Sequence, residues 1–273
     1  MNKHNENNVK EWKLILDKKP LSGSLNMAID DFLFRSLSSK PQTFIRFYSW
    51  ERPTVSLGYS QDIRKVVDLE YCQNQGIDIV RRMTGGKLVL HHKEVTYSFC
   101  SSDKETFTST LADSYRLISQ ALMRGFEKMG LKSQLADAPP ESYARGSLPC
   151  FSYPARDEIE VSGKKIVGSA QKRAGSKFIQ HGSIPLEEDE GFLAPVSFLK
   201  KEEDKSRMIS LSRVLGRKVS FDWVIEHLIS GISEFFKVNF KRKIFDTAEK
   251  EAILKIQKGR YANKDWTYGF RSS

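Results

Sequence analysis

The chain has 273 residues, 39% hydrophobic and 29% charged, the balance of a soluble globular protein with room for one sizeable core. No apolar run approaches the roughly 20 residues of a membrane span. Residues 1–10 are polar with no apolar core behind them, which argues against a secretory signal, and the three cysteines (Cys72, Cys100, Cys150) are too far apart to suggest a disulfide framework or a metal site.

A cytosolic protein is therefore expected. The net charge is +10, and the last third, from residue 196 onward, carries 17 Lys+Arg against 10 Asp+Glu. Such a surface steers acidic partners, with plain solvated lysine-rich faces as the alternative. No nucleic-acid motif with interleaved exposed aromatics accompanies it, so neither nucleic acid nor a membrane is an expected partner.

In chain order, residues 1–10 read as a disordered tail. Leu25, Ile29, Phe32 and Leu33 share one helix face, with Ser22 or Ser24 available as the cap. Strand-like runs follow at 44–50, 54–57, 77–82 and 95–99. Leu111, Tyr115, Ile118, Leu122, Phe126 and Met129 then mark a long amphipathic helix that ends at Gly130. Residues 132–149 are loop-like, punctuated by Pro139-Pro140, Gly146 and Pro149. Runs 158–161 and 165–171 flank Ser162-Gly163 as a hairpin, and a second hairpin turns near 174–176 and returns through 177–184. Val224, Leu228, Ile232 and Phe235 share a helix face, and 248–257 forms another short helix. Mixed strands and helices predict an α+β fold: a mixed or antiparallel sheet with packed helices, one domain over 20–268, its last part (about 195–268) a helical cap.

The most informative stretch is Arg81-Arg82-Met83-Thr84-Gly85-Gly86-Lys87-Leu88-Val89-Leu90-His91, set between two strand-like runs. Adjacent glycines without Cβ atoms let a ligand approach the main chain, and the arginines and histidine put polar chemistry beside that opening. A tight turn is the simpler alternative. Cys150 closes a loop containing proline and glycine, where a thiolate can meet substrate; an inert filler thiol is its alternative, and Cys72 and Cys100 suit that filler role better. Lys165 opens a hairpin strand, where a half-buried ammonium lowers a nearby thiol's pKa and supports an oxyanion, unless it is a solvated turn lysine. Lys164 faces the opposite way and suits solvent. His91 and His181 each read as a base, a hydrogen-bonding ligand contact or a satisfied core histidine.

Taken in order, Asn26-Met27-Ala28-Ile29-Asp30, Pro53-Thr54-Val55-Ser56-Leu57-Gly58, Arg81 to His91, Gly163 to Arg173, Gln180 to Ser183 and Arg260-Tyr261-Ala262-Asn263-Lys264-Asp265-Trp266 resemble the lipoate/octanoate protein ligase and transferase family, related in fold to biotin protein ligases. The resemblance implies a biotin/lipoate protein ligase-like fold. Lys87 stands where many members have a third glycine, and Leu88 replaces the usual alanine, which bears on acyl-chain preference. Cys150-Phe151-x-x-Pro154-x-x-x-Glu158 is similar to the nucleophile segment of the cysteine-dependent octanoyltransferases of Gram-positive bacteria.

What that branch implies is a ping-pong transfer. Octanoyl moves from acyl carrier protein to Cys150, then to a lysine of a lipoyl domain such as the glycine-cleavage H protein, with no metal or other cofactor. Lys165 is implied to lower the Cys150 pKa and support the carbonyl oxygen. Gly85, Gly86, His91, Gly168 and Ser183 are implied to line the acyl and carbonyl site, with Arg82 and His181 grouped among the substrate-binding residues. Two other readings stand beside it: a lipoate–protein ligase, which uses ATP and Mg and leaves Cys150 incidental, and a carrier-domain binding module without turnover.

Overall fold

The computed structural model describes residues 9–107, 110–137, 157–188, 193–198 and 208–269. Its strands are β1 (Lys10–Leu16), β2 (Thr43–Tyr48), β3 (Thr54–Leu57), β4 (Asp78–Arg81), β5 (Val89–His91), β6 (Glu94–Ser101), β7 (Gln134–Leu135), β8 (Ile159–Val161), β9 (Lys164–Lys165), β10 (Gly168–Ala174), β11 (Lys177–Pro185) and β12 (Val238–Arg242). The helices are α1 (Gly23–Ser36), α2 (Ile63–Val66), α3 (Leu69–Asn74), α4 (Leu111–Lys128), α5 (Leu193–Val196), α6 (Leu211–Leu215), α7 (Phe221–Phe236), α8 (Thr247–Ile256) and α9 (Lys264–Tyr268), with a π-helical turn at Gln257–Tyr261. This is the mixed α+β architecture expected. Among the described residues no helix is long and apolar enough to cross a membrane.

The main sheet runs β10-β11-β6-β2-β1-β12. It is antiparallel from β10 through β2 and parallel from β2 through β12. Alternation along its strands creates two unlike faces. Val95, Tyr97 and Phe99 of β6, with Trp12, Ile45, Phe47 and Phe178, point into a core closed by Ile118, Leu122 and Phe126 of α4 and Val224, Leu228 and Ile232 of α7. The opposite face places Ile15, Phe44, Cys100 and Ile179 against Met27, Ile29 and Leu33 of α1. That face also carries the polar side chains Arg46, Glu94, Thr96, Ser98, His181 and Ser183, all buried.

A second sheet, β4-β3-β5, and a third, β7-β8-β9, flank the first. The hairpin at Ser162-Gly163 forms as expected, both residues having positive φ. The run 165–171 is two strands, however. β9 ends at Lys165, buried Ile166 and Val167 cross between sheets, and β10 starts at Gly168 as an edge strand of the main sheet. The C-terminal third is mainly helical and also contributes β12, whose residues pair in parallel with β1.

Candidate active site

The polar face of the main sheet opens into a pocket that encloses about 440 Å³ of empty space, counted to its open mouth. Met27, Tyr48, Trp50 and Val89 supply apolar lining, while Arg82, His91, Lys165, Gly168, His181 and Ser183 bring in the polar groups. Six of the residues singled out in the sequence therefore meet in one cavity, though they come from five separate segments.

Asp30 is one of two carboxylates organising this cavity. It projects from α1 onto the sheet and is almost wholly buried. Its Oδ1 accepts from Arg46 Nη1 and Ser98 Oγ, both at 3.0 Å, and its Oδ2 accepts from the Tyr48 hydroxyl at 3.0 Å and faces His181 Nδ1 at 3.1 Å. Burial alone pushes its carboxyl up, but the His181 hydrogen bond and the Arg46 charge outweigh that and hold it below the usual range. For His181 burial dominates, and its pKa lies below the ordinary histidine value despite Asp30. A neutral imidazole with its proton on Nδ1, toward Asp30, leaves Nε2 to accept from the Thr84 hydroxyl, 2.7 Å away.

Glu94, at the start of β6, is the second organiser. Its Oε1 accepts from the Trp50 indole at 3.2 Å and from the Thr96 hydroxyl, and lies 2.8 Å from His91 Nδ1; its Oε2 accepts from Ser183. His91 Nε2 lies 2.8 Å from Ser56 Oγ, and Trp50 stacks on the imidazole at 4.1 Å between centroids. The ring is thereby fixed in position and orientation at the pocket wall.

Lys165 is fully buried and donates from Nζ to Glu158 Oε1 at 2.6 Å. Backbone bonds hold both partners: the Glu158 carbonyl accepts from Ala136 at 2.8 Å, and the Lys165 carbonyl accepts from Ile209 at 2.9 Å. The solvated-turn alternative for Lys165 is thus excluded by burial, and Lys164 is the more exposed of the two. A buried ammonium beside a cavity is suited to stabilise negative charge on a bound oxygen.

The Gly85-Gly86 loop is exposed next to the pocket and does not line it. Arg82 organises that loop: its guanidinium donates to the carbonyls of Ser56 at 2.9 Å, Gly85 at 2.8 Å and Lys87 at 2.7 Å. Gly58 packs directly beneath, where a Cβ would fall 1.9 Å from the Gly86 carbonyl oxygen. In Gly182, on the pocket wall, a Cβ would meet the Tyr97 ring at 2.6 Å.

Cys150 lies outside the described residues. Cys72 and Cys100 are both buried, and burial pushes the Cys72 thiol up to about 11 and that of Cys100 well above its ordinary value. Both are inert thiols at neutral pH. Asp30, Arg46, Glu94 and Glu158 had no role assigned from sequence. For Glu94 the available signal was polar residues at alternate positions of β6, a strand whose eight residues are all buried.

A family model described as the lipoyl protein ligase A/B catalytic domain matches residues 22–233. The chain is 35% identical over 269 residues to "Octanoyltransferase LipM" of Carboxydothermus hydrogenoformans, covering 95% of this chain and 99% of that one. It is 33% identical over 273 residues to the protein of the same name from Brevibacillus brevis, covering 94% and 99%. Among solved structures, lipoate-protein ligase A bound with ATP superposes with a TM-score of 0.83 at 23% identity, covering 96% of this chain and all of that one. A structure from the archaeal lipoylation system of Thermoplasma acidophilum, a bi-partite lipoate protein ligase and its E2 lipoyl domain, gives 0.81 at 23% identity over 97% and 98%. The chain belongs to the lipoyl protein ligase A/B catalytic domain family, and its fold is that of the lipoate–protein ligases.

Proposed function

We propose that this protein is an octanoyltransferase of lipoate biosynthesis. It moves octanoyl from a thioester on the phosphopantetheine arm of acyl carrier protein to a lysine of a lipoyl domain, such as the glycine-cleavage H protein. The observation that carries the reading is similarity over nearly the whole chain to proteins named octanoyltransferases, joined to a pocket with apolar lining and one buried ammonium.

In this reading the Cys150 thiolate attacks the donor carbonyl, the carbon–sulfur bond to the phosphopantetheine breaks, and that sulfur leaves as a thiolate, which takes a proton from water. The acceptor lysine amine then attacks the acyl-thioester, loses its proton as the amide forms, and Cys150 departs as thiolate. Thioester to amide is downhill, so ATP and metal are not needed. Lys165, oriented by Glu158, faces the carbonyl oxygen as it gains negative charge. Gly168, Ser183 and His91 border the acyl group, and Arg82 holds the Gly85-Gly86 loop at the rim. The reading takes support from the state of the other two cysteines, which are buried thiols.

The test is transfer to a purified lipoyl domain from octanoyl–acyl carrier protein without ATP. Amide formation that Cys150→Ala abolishes is expected. Acylation that requires free lipoate and ATP and releases pyrophosphate would replace this reading with the ligase one. Tight binding of the domain with no transfer from either donor would favour a binding module.

A further inference from the structure

The far end of the described chain is tied to the residues under the pocket rim by a reciprocal clasp. Arg81, the last residue of β4, is fully buried. Its Nε and Nη2 donate to the carbonyls of Trp266, at 3.1 Å, and Thr267, at 2.9 Å. Its Nη1 donates to three more carbonyls: Gly58 and Tyr59 at 3.0 Å and Gln61 at 2.7 Å. In return the Trp266 indole donates to the Arg81 carbonyl at 2.8 Å. One guanidinium fork thus joins α9 to the loop after β3, which only a planar, multidentate cation does well.

That loop in turn supports the rim. Tyr59 N donates to the Thr84 carbonyl at 2.9 Å, and Gly58 sits against the Gly86 carbonyl. Thr84 reaches His181 on the pocket wall. Behind the clasp, Arg260 lies 3.5 Å above the Trp266 ring and donates to buried Asp31 of α1 at 2.9 Å. The tryptophan is therefore held from both sides.

We propose that Trp266 and Arg81 are positioning residues for the Thr84–Gly86 loop: α9 sets the rim of the pocket from more than 180 positions away, without touching the bound acyl group. The link to catalysis rests on the transferase reading; the link to loop order does not.

The test is Trp266→Phe in the full chain, which keeps an aromatic ring and removes the indole N–H. Amide exchange, followed by mass spectrometry, should quicken roughly five- to tenfold at 58–61 and 83–88, the effect of losing one such bond, with β6 and α4 unchanged. Arg81→Lys, whose single ammonium cannot span both sets of carbonyls, should quicken the same two loops further. Octanoyl turnover should fall in both variants with the acceptor KM unchanged. Unaltered loops, or equal quickening across β6 and α4, would overturn the proposal, as would parental turnover despite loosened loops. A parent protein with no octanoyl transfer at all would instead count against the transferase reading, leaving the exchange result to stand alone.

Discussion

The two carboxylates that organise the pocket, Asp30 on α1 and Glu94 on β6, are answered in different ways. Asp30 answers a fully buried guanidinium, that of Arg46, which also pairs with Asp17 at 2.6 Å and donates to Asn26 Oδ1 at 2.7 Å. Glu94 answers three neutral donors and one imidazole. The first arrangement ties a permanent charge to the fold. The second holds a ring and a hydroxyl in place with little charge at stake. Removing one side of a buried ion pair leaves the other charge stranded, whereas hydroxyl donors can turn and become acceptors.

The contrast breaks most sharply at Asp30. Asp30→Ala should cost about 3 kcal/mol, because Arg46 keeps its burial and loses its fully buried carboxylate, with only the less buried Asp17 left to answer it; urea unfolding would show it. Gly58→Ala should come next. The new methyl collides with main chain, and such overpacking costs about 1–3 kcal/mol while displacing the Gly85-Gly86 loop; unfolding and transfer assays would measure both effects. Glu94→Gln should be milder in stability, about 1 kcal/mol, since Thr96 and Ser183 can reverse their hydrogen bonds. Its larger effect should be on transfer rate, through a less firmly held His91. Equal destabilisation by Asp30→Ala and Glu94→Gln would remove the distinction between the two organisers.

The smallest expected effect is a slope with pH. His181 has a folded pKa below its reference value of 6.5, so below about pH 6.5 the unfolded chain takes up the proton more readily than the folded one. Stability is therefore complete above that pH and declines as pH falls through the window beneath it. Asp30, depressed below 3.8, contributes stability present above that value and lost on further acidification. Both slopes have the same sign. His181→Gln should flatten the upper part alone, as stability titrations of the two proteins would show.

Most elements were legible because their periodicities are strong. The α1 face of Leu25, Ile29 and Leu33, the α4 stripe and the β10–β11 hairpin all form where their patterns place them. The division of 165–171 was not legible, because Ile166 and Val167 continue an apolar run while the chain changes sheets. β12 was hidden for a related reason: five residues between two helices become a strand only when β1 offers an edge to pair with. At the site, glycines and histidines stand out as residue types, and His91, Gly168 and His181 reach the pocket, together with Arg82, Lys165 and Ser183. Arg46 and Glu158 do not stand out. A buried cation and its carboxylate are recognisable only once the fold brings 46 to 30 and 165 to 158.

The central claim is that acyl transfer passes through a thioester on Cys150. Intact-protein mass spectrometry after mixing the protein with octanoyl–acyl carrier protein, without ATP or acceptor, tests it most directly. The account predicts a mass gain of one octanoyl group, absent in Cys150→Ala and discharged when a lipoyl domain is added. A folded parent protein that gains no mass, or a Cys150→Ala variant that gains it equally, would contradict the account.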